Sequence, residues 1–299
     1  MIAYLVCAVV WGTTWFAIRV CIGEGGYPTI AGAAARFTVA SLLLLLIVQF
    51  ARIAPRIQSW RERRWLTVAG LFNGIGYAFV YLGEERVPGA FAAILFGVLP
   101  LLTAFFAIVS KTEKVTLGHL LGASTSLVGI AIIFWDRLSV STNQAWGIGF
   151  ICIGVVVSAI YSVILKRTCN NIHPIAATAW FLSVTTIALW CTAIVIGKAS
   201  LPWPLPVKPT AALLYLAIAG SVITFASYIY LLQHVSLMTS TTLVFIQPLI
   251  ALFIDSRWEK GIQLNASSYI GAAVTLGGVL VTLLWSKLKQ SRHTKAIKL

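Results

Sequence analysis

Charged side chains are scarce in this chain of 299 residues. Only 10% of the residues are charged, with 8 acidic residues against 22 lysines and arginines, whereas 59% are hydrophobic. A soluble domain carries about 25% charged and about 45–50% apolar residues. This composition leaves too little polar surface for a soluble globular protein and too much apolar surface for a disordered chain. A polytopic helical membrane protein remains.

Catalytic and ligand-binding motifs are missing as well. The sequence contains no HExxH, GxSxG, Walker or GxGxxG pattern. Carboxylates are absent from the centres of the hydrophobic runs, and the five cysteines form no CxxC pair. We interpret the cysteines as small apolar residues rather than metal or redox groups. The sequence therefore predicts neither an enzyme nor a nucleotide-driven pump, and it predicts no cofactor and no metal site.

Long hydrophobic runs account for most of the chain. A membrane-crossing helix needs about 20 predominantly apolar residues, and the sequence contains ten such runs. Short loops connect them and leave no room for a soluble domain. The predicted spans are 2–22, 29–51, 65–84, 89–110, 116–135, 145–165, 174–197, 210–232, 238–256 and 267–286.

Basic residues are divided unevenly between the loops on the two sides. With the N-terminus in the cytoplasm, 14 lysines and arginines lie inside and 7 outside, while Arg36 lies within a span. Cytoplasmic loops carry an excess of Lys and Arg. We therefore expect a multi-pass protein of a bacterial-type inner membrane with both termini in the cytoplasm. The net charge of +14 reflects these loops beside the lipid bilayer, so no nucleic-acid partner is predicted.

The two halves of the sequence resemble each other. Matching residues recur at nearly constant offsets of 146, 148 and 149 in successive parts of the halves. Each half contains five spans, an odd number, so the second half must cross the membrane in the opposite sense. Such inverted repeats recur in secondary transporters, although some channels share them. The matched pairs include Pro28 and Pro174, Pro100 and Pro248, Gly122 and Gly271, and Gly129 and Gly278.

Several segments carry a resemblance to a known family. WGTTWFAIRV (11–20) and PTIAGAAARF (28–37) precede VPGAFAAILFGVLPLLTAFFA (87–107), which the second half repeats as VSLMTSTTLVFIQPLIALF (235–253). Together they resemble the EamA family of the drug/metabolite transporter superfamily. The resemblance implies a ten-helix inner-membrane carrier of small metabolites, often an exporter. It also implies a cavity built largely from helices one, three, four, six, eight and nine.

We therefore expect an all-α membrane protein of ten transmembrane helices in two inverted five-helix repeats. Residues 1–139 would form the first EamA repeat, and 140–299 the second with a short basic cytoplasmic tail. The expected function is export of a small organic metabolite, such as an amino acid or drug-like solute, by alternating access. Alternatives are uptake of a vitamin or nucleotide-like solute, and a channel or lipid-handling scaffold. Protons are a candidate coupling ion, and the oligomeric state stays open.

Aromatic and polar side chains recur at helical spacing within several spans. A polar stripe on an apolar helix points to the protein interior rather than to lipid. For any single residue, hydrogen bonding that only packs the helices is an equal alternative. As a set, the residues predict the lining of a central cavity. The candidates are Trp11, Trp15, Asn73, Tyr77, Tyr81, Ser158, Tyr161, Thr224 and Tyr228.

Two prolines and four ionisable residues complete the predicted site. Pro100 and Pro248 occupy matched positions inside spans, where proline removes a backbone donor and kinks a helix. We interpret them as hinges, the alternative being prolines that the membrane merely tolerates. The candidate coupling or gating charges are Arg36, Glu84, Glu85 and His234. A scaffold role for Arg36 and solvated helix-end charges for the others are the competing interpretations.

Overall fold

The structure, a computed structural model, describes residues 1–53, 57, 59–134, 142–258 and 266–297, and in these ranges all regular secondary structure is helical. Every predicted span coincides with a helix, which confirms the ten-helix fold. In chain order the helices are α1 (Ile2–Ile22), α2 (Thr29–Phe50), α3 (Trp60–Glu84), α4 (Gly89–Phe96 and Leu99–Val109), α5 (Leu117–Phe134), α6 (Thr142–Thr168), α7 (Pro174–Val195), α8 (Val207–Ala217, Ile218–Ile223 and Thr224–His234), α9 (Leu237–Thr241, Thr242–Phe245 and Gln247–Trp258) and α10 (Ala266–Ile297).

Length and hydropathy agree with membrane crossing. Within the described ranges, eight helices are long and apolar enough to span a bilayer, and Leu117–Ile133 and Tyr269–Trp285 form two shorter apolar helices. Helix α3 begins five residues before its predicted start because a capping box joins Ser59 and Glu62. That cap satisfies backbone donors and adds a charged turn to the apolar run. The division between repeats placed after residue 139 lies outside the described residues.

The α5–α10 contact follows the inverted repeat residue by residue. Gly122 faces Gly278 and Gly129 faces Gly271, and a Cβ on Gly122 or Gly129 would lie 2.7 Å from the facing carbonyl oxygen. Gly278 is the repeat equivalent of Gly129, and Gly271 is that of Gly122. Each glycine of α5 therefore contacts the repeat equivalent of the other glycine of α5. A two-fold axis between antiparallel helices produces this exchange. Small residues allow the backbones to approach closely, as in other membrane helix pairs.

A hydrogen-bonded pair marks the centre of this contact. Ser126 and Thr275 are related by the 149-residue offset of the repeat. The Ser126 hydroxyl donates to the Thr275 carbonyl at 2.9 Å, and the Thr275 hydroxyl donates to the Ser126 carbonyl at 3.4 Å. Two equivalent residues that bond each other reciprocally lie on the pseudo-two-fold axis. The inverted repeat read from sequence is therefore a property of the folded chain.

Three helices are interrupted near the middle of the molecule. Helix α4 breaks between Phe96 and Leu99, and α9 passes through a 3₁₀ turn at Thr242–Phe245. Pro100 is buried in the first turn after the break in α4, and Pro248 stands second in the last segment of α9. A proline cannot donate to the carbonyl four residues earlier, so it favours a new helical start at these positions. Helix α8 contains a π-helical segment, Ile218–Ile223.

Candidate functional site

The central cavity lies between the two halves, where the interrupted helices meet. Its volume is about 60 Å³, several times the space that one water molecule needs. Helices α1, α3, α4, α6, α8 and α9 supply most of its wall, and α2 supplies Arg36. The lining residues are Trp11, Thr14, Trp15, Ile18, Arg36, Gly76, Tyr77, Val80, Phe96, Leu99, Ser158, Tyr161, Ser162, Tyr228, Ser240, Thr241, Leu243, Val244 and Gln247.

Six aromatic rings line the wall. Trp11 packs against Tyr228 with 5.3 Å between ring centroids, and Trp15 packs against Phe96 at 5.1 Å. Tyr77 meets Phe37 edge to face at 4.7 Å. These separations are those of stabilising ring pairs. The rings therefore hold one another in place and present apolar faces with a few polar edges to the cavity.

Arg36 is the one charged side chain that the described part of the chain contributes to the cavity wall. It is fully buried. Its Nε donates to the Ser221 hydroxyl at 2.9 Å, and its Nη2 donates to the Gly220 carbonyl at 3.1 Å. Its Nη1 donates to the Tyr81 hydroxyl at 3.3 Å. The guanidinium thus joins the first half to the second through the π segment, where the widened turn leaves a carbonyl available.

Two aromatic rings and one further hydrogen-bond donor surround the contact between Arg36 and Gly220. The Arg36 guanidinium lies 4.9 Å from the Phe37 ring centroid and 5.1 Å from that of Tyr77, distances at which a cation is attracted to a ring face. The indole of Trp11 also donates to the Gly220 carbonyl, at 3.2 Å. Helices α1 and α2 therefore meet the same carbonyl of α8.

The polar edges of the cavity come mainly from α6, α8 and α9. The Tyr228 hydroxyl donates to Ser162 at 3.1 Å, and the Trp15 indole donates to the Gln247 side-chain oxygen at 3.3 Å. Gln247 is buried and immediately precedes Pro248. Since an amide oxygen has two lone pairs, Gln247 can accept a second hydrogen bond.

The comparisons with known proteins agree with this architecture. The sequence pattern of the EamA-like transporter family matches residues 1–135 and 145–284. The chain belongs to the EamA-like transporter family. It is similar to a probable terminal-alkyne amino-acid exporter of Streptantibioticus cattleyicolor, at 26% identity over 93% of this chain and 91% of that protein. It is also similar to the uncharacterized inner membrane transporter YedA of Escherichia coli, at 28% identity over 92% of this chain and 88% of that protein.

A solved structure supports the fold. A protein of known crystal structure matches with a TM-score of 0.77 and 19% identity, over 96% of both chains. The EamA-like assignment makes this chain a multi-pass membrane transporter with two five-helix repeats. The names of its relatives denote transport rather than catalysis. A lipid bilayer and a small-molecule substrate follow from that class.

Six of the nine cavity candidates line the central cavity of this EamA-like transporter: Trp11, Trp15, Tyr77, Ser158, Tyr161 and Tyr228. The other three lie elsewhere among the described residues. Asn73 donates to Thr185 of α7 at 3.0 Å, Tyr81 accepts from Arg36, and Thr224 donates to the Ala219 carbonyl at 3.2 Å. These contacts link helices or turns behind the cavity wall.

The candidate charges at the helix ends occupy different surroundings. Glu84 is buried at the end of α3, with 4% of its surface exposed, which contradicts the competing interpretation of a solvated helix-end charge. Glu85 is exposed, accepts from the Thr29 hydroxyl and forms an ion pair with Arg86 at 3.2 Å. His234 stacks on Tyr230 at 4.0 Å at the opposite end of the molecule. The structure brings none of these three described side chains into the cavity wall.

Sequence reasoning missed the polar contribution of α9. Ser240, Thr241 and Gln247 line the cavity. Gln247 had a usable signal, because the 148-residue offset places it opposite Leu99, beside the duplicated proline. A polar residue at an apolar repeat position, next to a helix break, indicates a side chain turned inward.

Proposed function

We propose that this protein is a secondary carrier that exports a small zwitterionic solute of the amino-acid class by alternating access. The observation that carries the proposal is the cavity between the halves, lined by six aromatic rings and bordered by the guanidinium of Arg36. The relative named as a probable amino-acid exporter supports both the solute class and the direction. The inverted repeat supports a cycle in which the halves rock about a central site.

Arg36 would bind the carboxylate of the solute. Its hydrogen-bond partners Ser221, Gly220 and Tyr81 are neutral. These bonds use three of its five N–H groups, and a further N–H lies within hydrogen-bond reach of the Tyr77 hydroxyl, so we infer that the remaining donors turn to the carboxylate when the solute binds. A buried charge that gains a carboxylate in fork geometry forms a strong charge-assisted pair. A solute with one carboxylate therefore fits better than a purely cationic one.

The aromatic part of the wall would hold the rest of the solute. Trp11, Trp15, Tyr77 and Tyr161 offer apolar area and ring faces, which suit an apolar side chain and attract an ammonium group. The Gln247 oxygen adds an acceptor on α9. The described wall offers no second basic side chain, so the second carboxylate of a dicarboxylate would be buried without a partner, at a high desolvation cost. This favours a zwitterion over a dicarboxylate.

The interrupted helices would provide the movement. Phe96 and Leu99 flank the break in α4, and Leu243, Val244 and Gln247 lie along the break in α9; all five line the cavity. A rotation at these breaks changes the cavity wall without breaking a continuous helix. Pro100 and Pro248 would keep the backbone open at both positions because they remove the donors that would close it.

Counterflow in proteoliposomes tests the carrier and the solute class together. Vesicles loaded with unlabelled leucine or phenylalanine should accumulate the labelled amino acid, and saturably so. The matched amine lacking the carboxylate and the matched acid lacking the ammonium group should both compete poorly. Non-saturable equilibration without counterflow would indicate a channel instead. Equal competition by the amine would contradict the proposal that Arg36 binds the carboxylate of the solute.

Direction and topology need separate tests. Inside-out vesicles should take up the solute, whereas right-side-out vesicles should release it, if the carrier works outward in cells. A reporter fused after Leu299 should be active only as a cytoplasmic reporter, because 14 of the basic loop residues lie on that side. Activity of a periplasmic reporter there would reverse the topology.

A further inference from the structure

A second and larger cavity lies away from the central one. Its volume is about 650 Å³, and it is bounded by the start of α3, the end of α4 and the end of α6. That volume is within the range of protein pockets that bind organic ligands. The cavity, here called the lateral groove, is lined on α6 by Ile160, Ile164 and Arg167.

The lateral groove is separate from the proposed transport site. Ile160, Ile164 and Arg167 follow one another at four- and three-residue spacing, so they share one face of α6. The central cavity uses Ser158, Tyr161 and Ser162, which lie on a different face of the same helix. A solute in the central cavity is thus on the other side of α6.

The wall of the groove divides into a charged end and an apolar end. Arg61 and Arg167 lie at the helix termini with Asn170 and Asn171, and all four are exposed. The apolar part of the wall consists of Phe106, Val109, Ile160 and Ile164, from the last residue of α4 towards the middle of α6. Val109 is 64% exposed and Trp65 42% exposed. Phe106, Ile160 and Ile164 are partly exposed, so this part of the groove offers apolar surface to an acyl chain.

The polar end favours an anion. Two guanidinium groups can bind phosphate oxygens in fork geometry, and the amides of Asn170 and Asn171 can donate alongside them. Glu62 is the one carboxylate in the described wall. It is directed at the start of its own helix, where it accepts from the Ser59 backbone N–H at 3.4 Å. Trp65 lies at the level where aromatic residues meet the headgroup layer.

We propose that the lateral groove binds an anionic phospholipid, with its phosphate between Arg61 and Arg167 and one acyl chain along α4 and α6. Basic pockets between membrane helices recognise acidic headgroups in this way, and each nearby arginine contributes about fivefold in affinity. An acyl chain would cover the apolar part of the wall, whereas a soluble anion would leave it uncovered.

Arg64 provides a matched control. It follows Arg61 in the same basic turn of α3, carries the same charge and is exposed, but it is not part of the groove wall. Native mass spectrometry of the detergent-purified full chain, with phosphatidylglycerol and phosphatidylcholine of identical acyl chains in equal amounts, measures the preference. We expect the wild type and Arg64→Ala to retain phosphatidylglycerol preferentially. The preference should fall about fivefold in Arg61→Ala and again in Arg61→Ala/Arg167→Ala.

Three outcomes would overturn the lipid assignment. Equal retention of the two lipids by the wild type would remove the headgroup preference. An equal loss in Arg64→Ala would show general attraction to the basic surface. Displacement of the lipid by millimolar inorganic phosphate would make the groove a phosphate site. The measurement involves no transport, so its result is independent of the proposed export function.

Discussion

Two contacts between the halves are equivalent in the repeat but differ in chemistry. Helix α2 meets α8 through Arg36, which donates to Ser221. Helix α7 meets α3 through Thr185, which accepts from Asn73. The repeat offsets place Leu182 at the position of Arg36 and Asn73 at that of Ser221. The two contacts are thus equivalent in the repeat, whereas the buried guanidinium and the π segment that it meets occur in only one of them.

This difference distinguishes contacts that pack the two halves together from the contact at the proposed solute site. At the α5–α10 contact, both halves contribute glycines and a hydroxyl side chain, and the Ser126–Thr275 pairing is reciprocal. A charge inside the membrane is expensive and is retained where it serves a function. An asymmetric charge also gives the cavity two distinguishable ends, which would orient a zwitterion. We propose that the symmetric contacts hold the halves together and that the asymmetric one distinguishes between solutes.

The largest effect is expected from a substitution that makes the α2–α8 contact resemble the α7–α3 contact. Arg36→Leu installs the residue that the second half carries at the equivalent position. It should weaken solute binding by about 3 kcal/mol, roughly 100-fold, because it removes charge-assisted hydrogen bonds. Half-saturation in counterflow measures the effect, with Arg64→Leu on the exposed basic turn as the control. Wild-type half-saturation in a folded Arg36→Leu protein would contradict the role of the charge.

The symmetric contact can be tested by overpacking it. Gly278→Leu should destabilise the protein by about 2 kcal/mol, because the new side chain has no space between α5 and α10. Gly277→Leu is the matched control, since a Cβ at Gly277 meets no atom within 4 Å. Thermal unfolding in detergent should show a lower midpoint for the first variant only. Equal midpoints would mean that the close approach is not needed for stability.

Substitution of each proline tests whether the breaks in α4 and α9 contribute equally to transport. Pro100→Ala and Pro248→Ala should each insert normally but transport about tenfold more slowly, because a restored backbone donor favours a continuous helix. Pro209→Ala is the control, since Pro209 stands in the first turn of α8, where proline removes no helical bond. Wild-type rates in both variants would leave the prolines as merely tolerated. Slowing in only one would assign the movement to that half.

The smallest effect is expected from the aromatic wall. Tyr77→Ala and Tyr161→Ala should each raise half-saturation about fivefold, because one ring contributes about 1 kcal/mol. Expression should be unchanged. Tyr230→Ala changes the same residue type on α8 at a side chain that is 46% exposed, and it should have no effect. Unchanged half-saturation in both cavity variants would place the solute elsewhere.

Much of the fold could be predicted because it depends on local patterns. The ten spans follow from runs of apolar residues, and the breaks in α4 and α9 follow from Pro100 and Pro248. The predicted start of α3 was wrong by five residues because the Ser59–Glu62 capping box is a polar signal outside the apolar run. The π segment of α8 has no comparable signal, since it depends on packing against α1 and α2.

The candidate site was only partly predictable. Helical spacing identified Tyr77 and Tyr161 as inward-facing, but it also identified Asn73, which instead contacts α7. Spacing within one helix tells which residues share a face, and it does not tell which neighbour that face meets. Gln247 and Ser240 were missed because neither has an aromatic residue three or four positions away on α9.

The sequence by itself determined that the chain is a membrane protein of ten helices in two inverted halves, because hydrophobicity, span length and repeat offsets are properties of the linear chain. The tertiary structure decided which polar groups meet. It brought Arg36 of α2 against Gly220 and Ser221 of α8, more than 180 residues away, and it turned Gln247 towards Trp15. The rotation of each helix about its own axis is fixed by packing against distant helices. A sequence read one helix at a time does not contain that information.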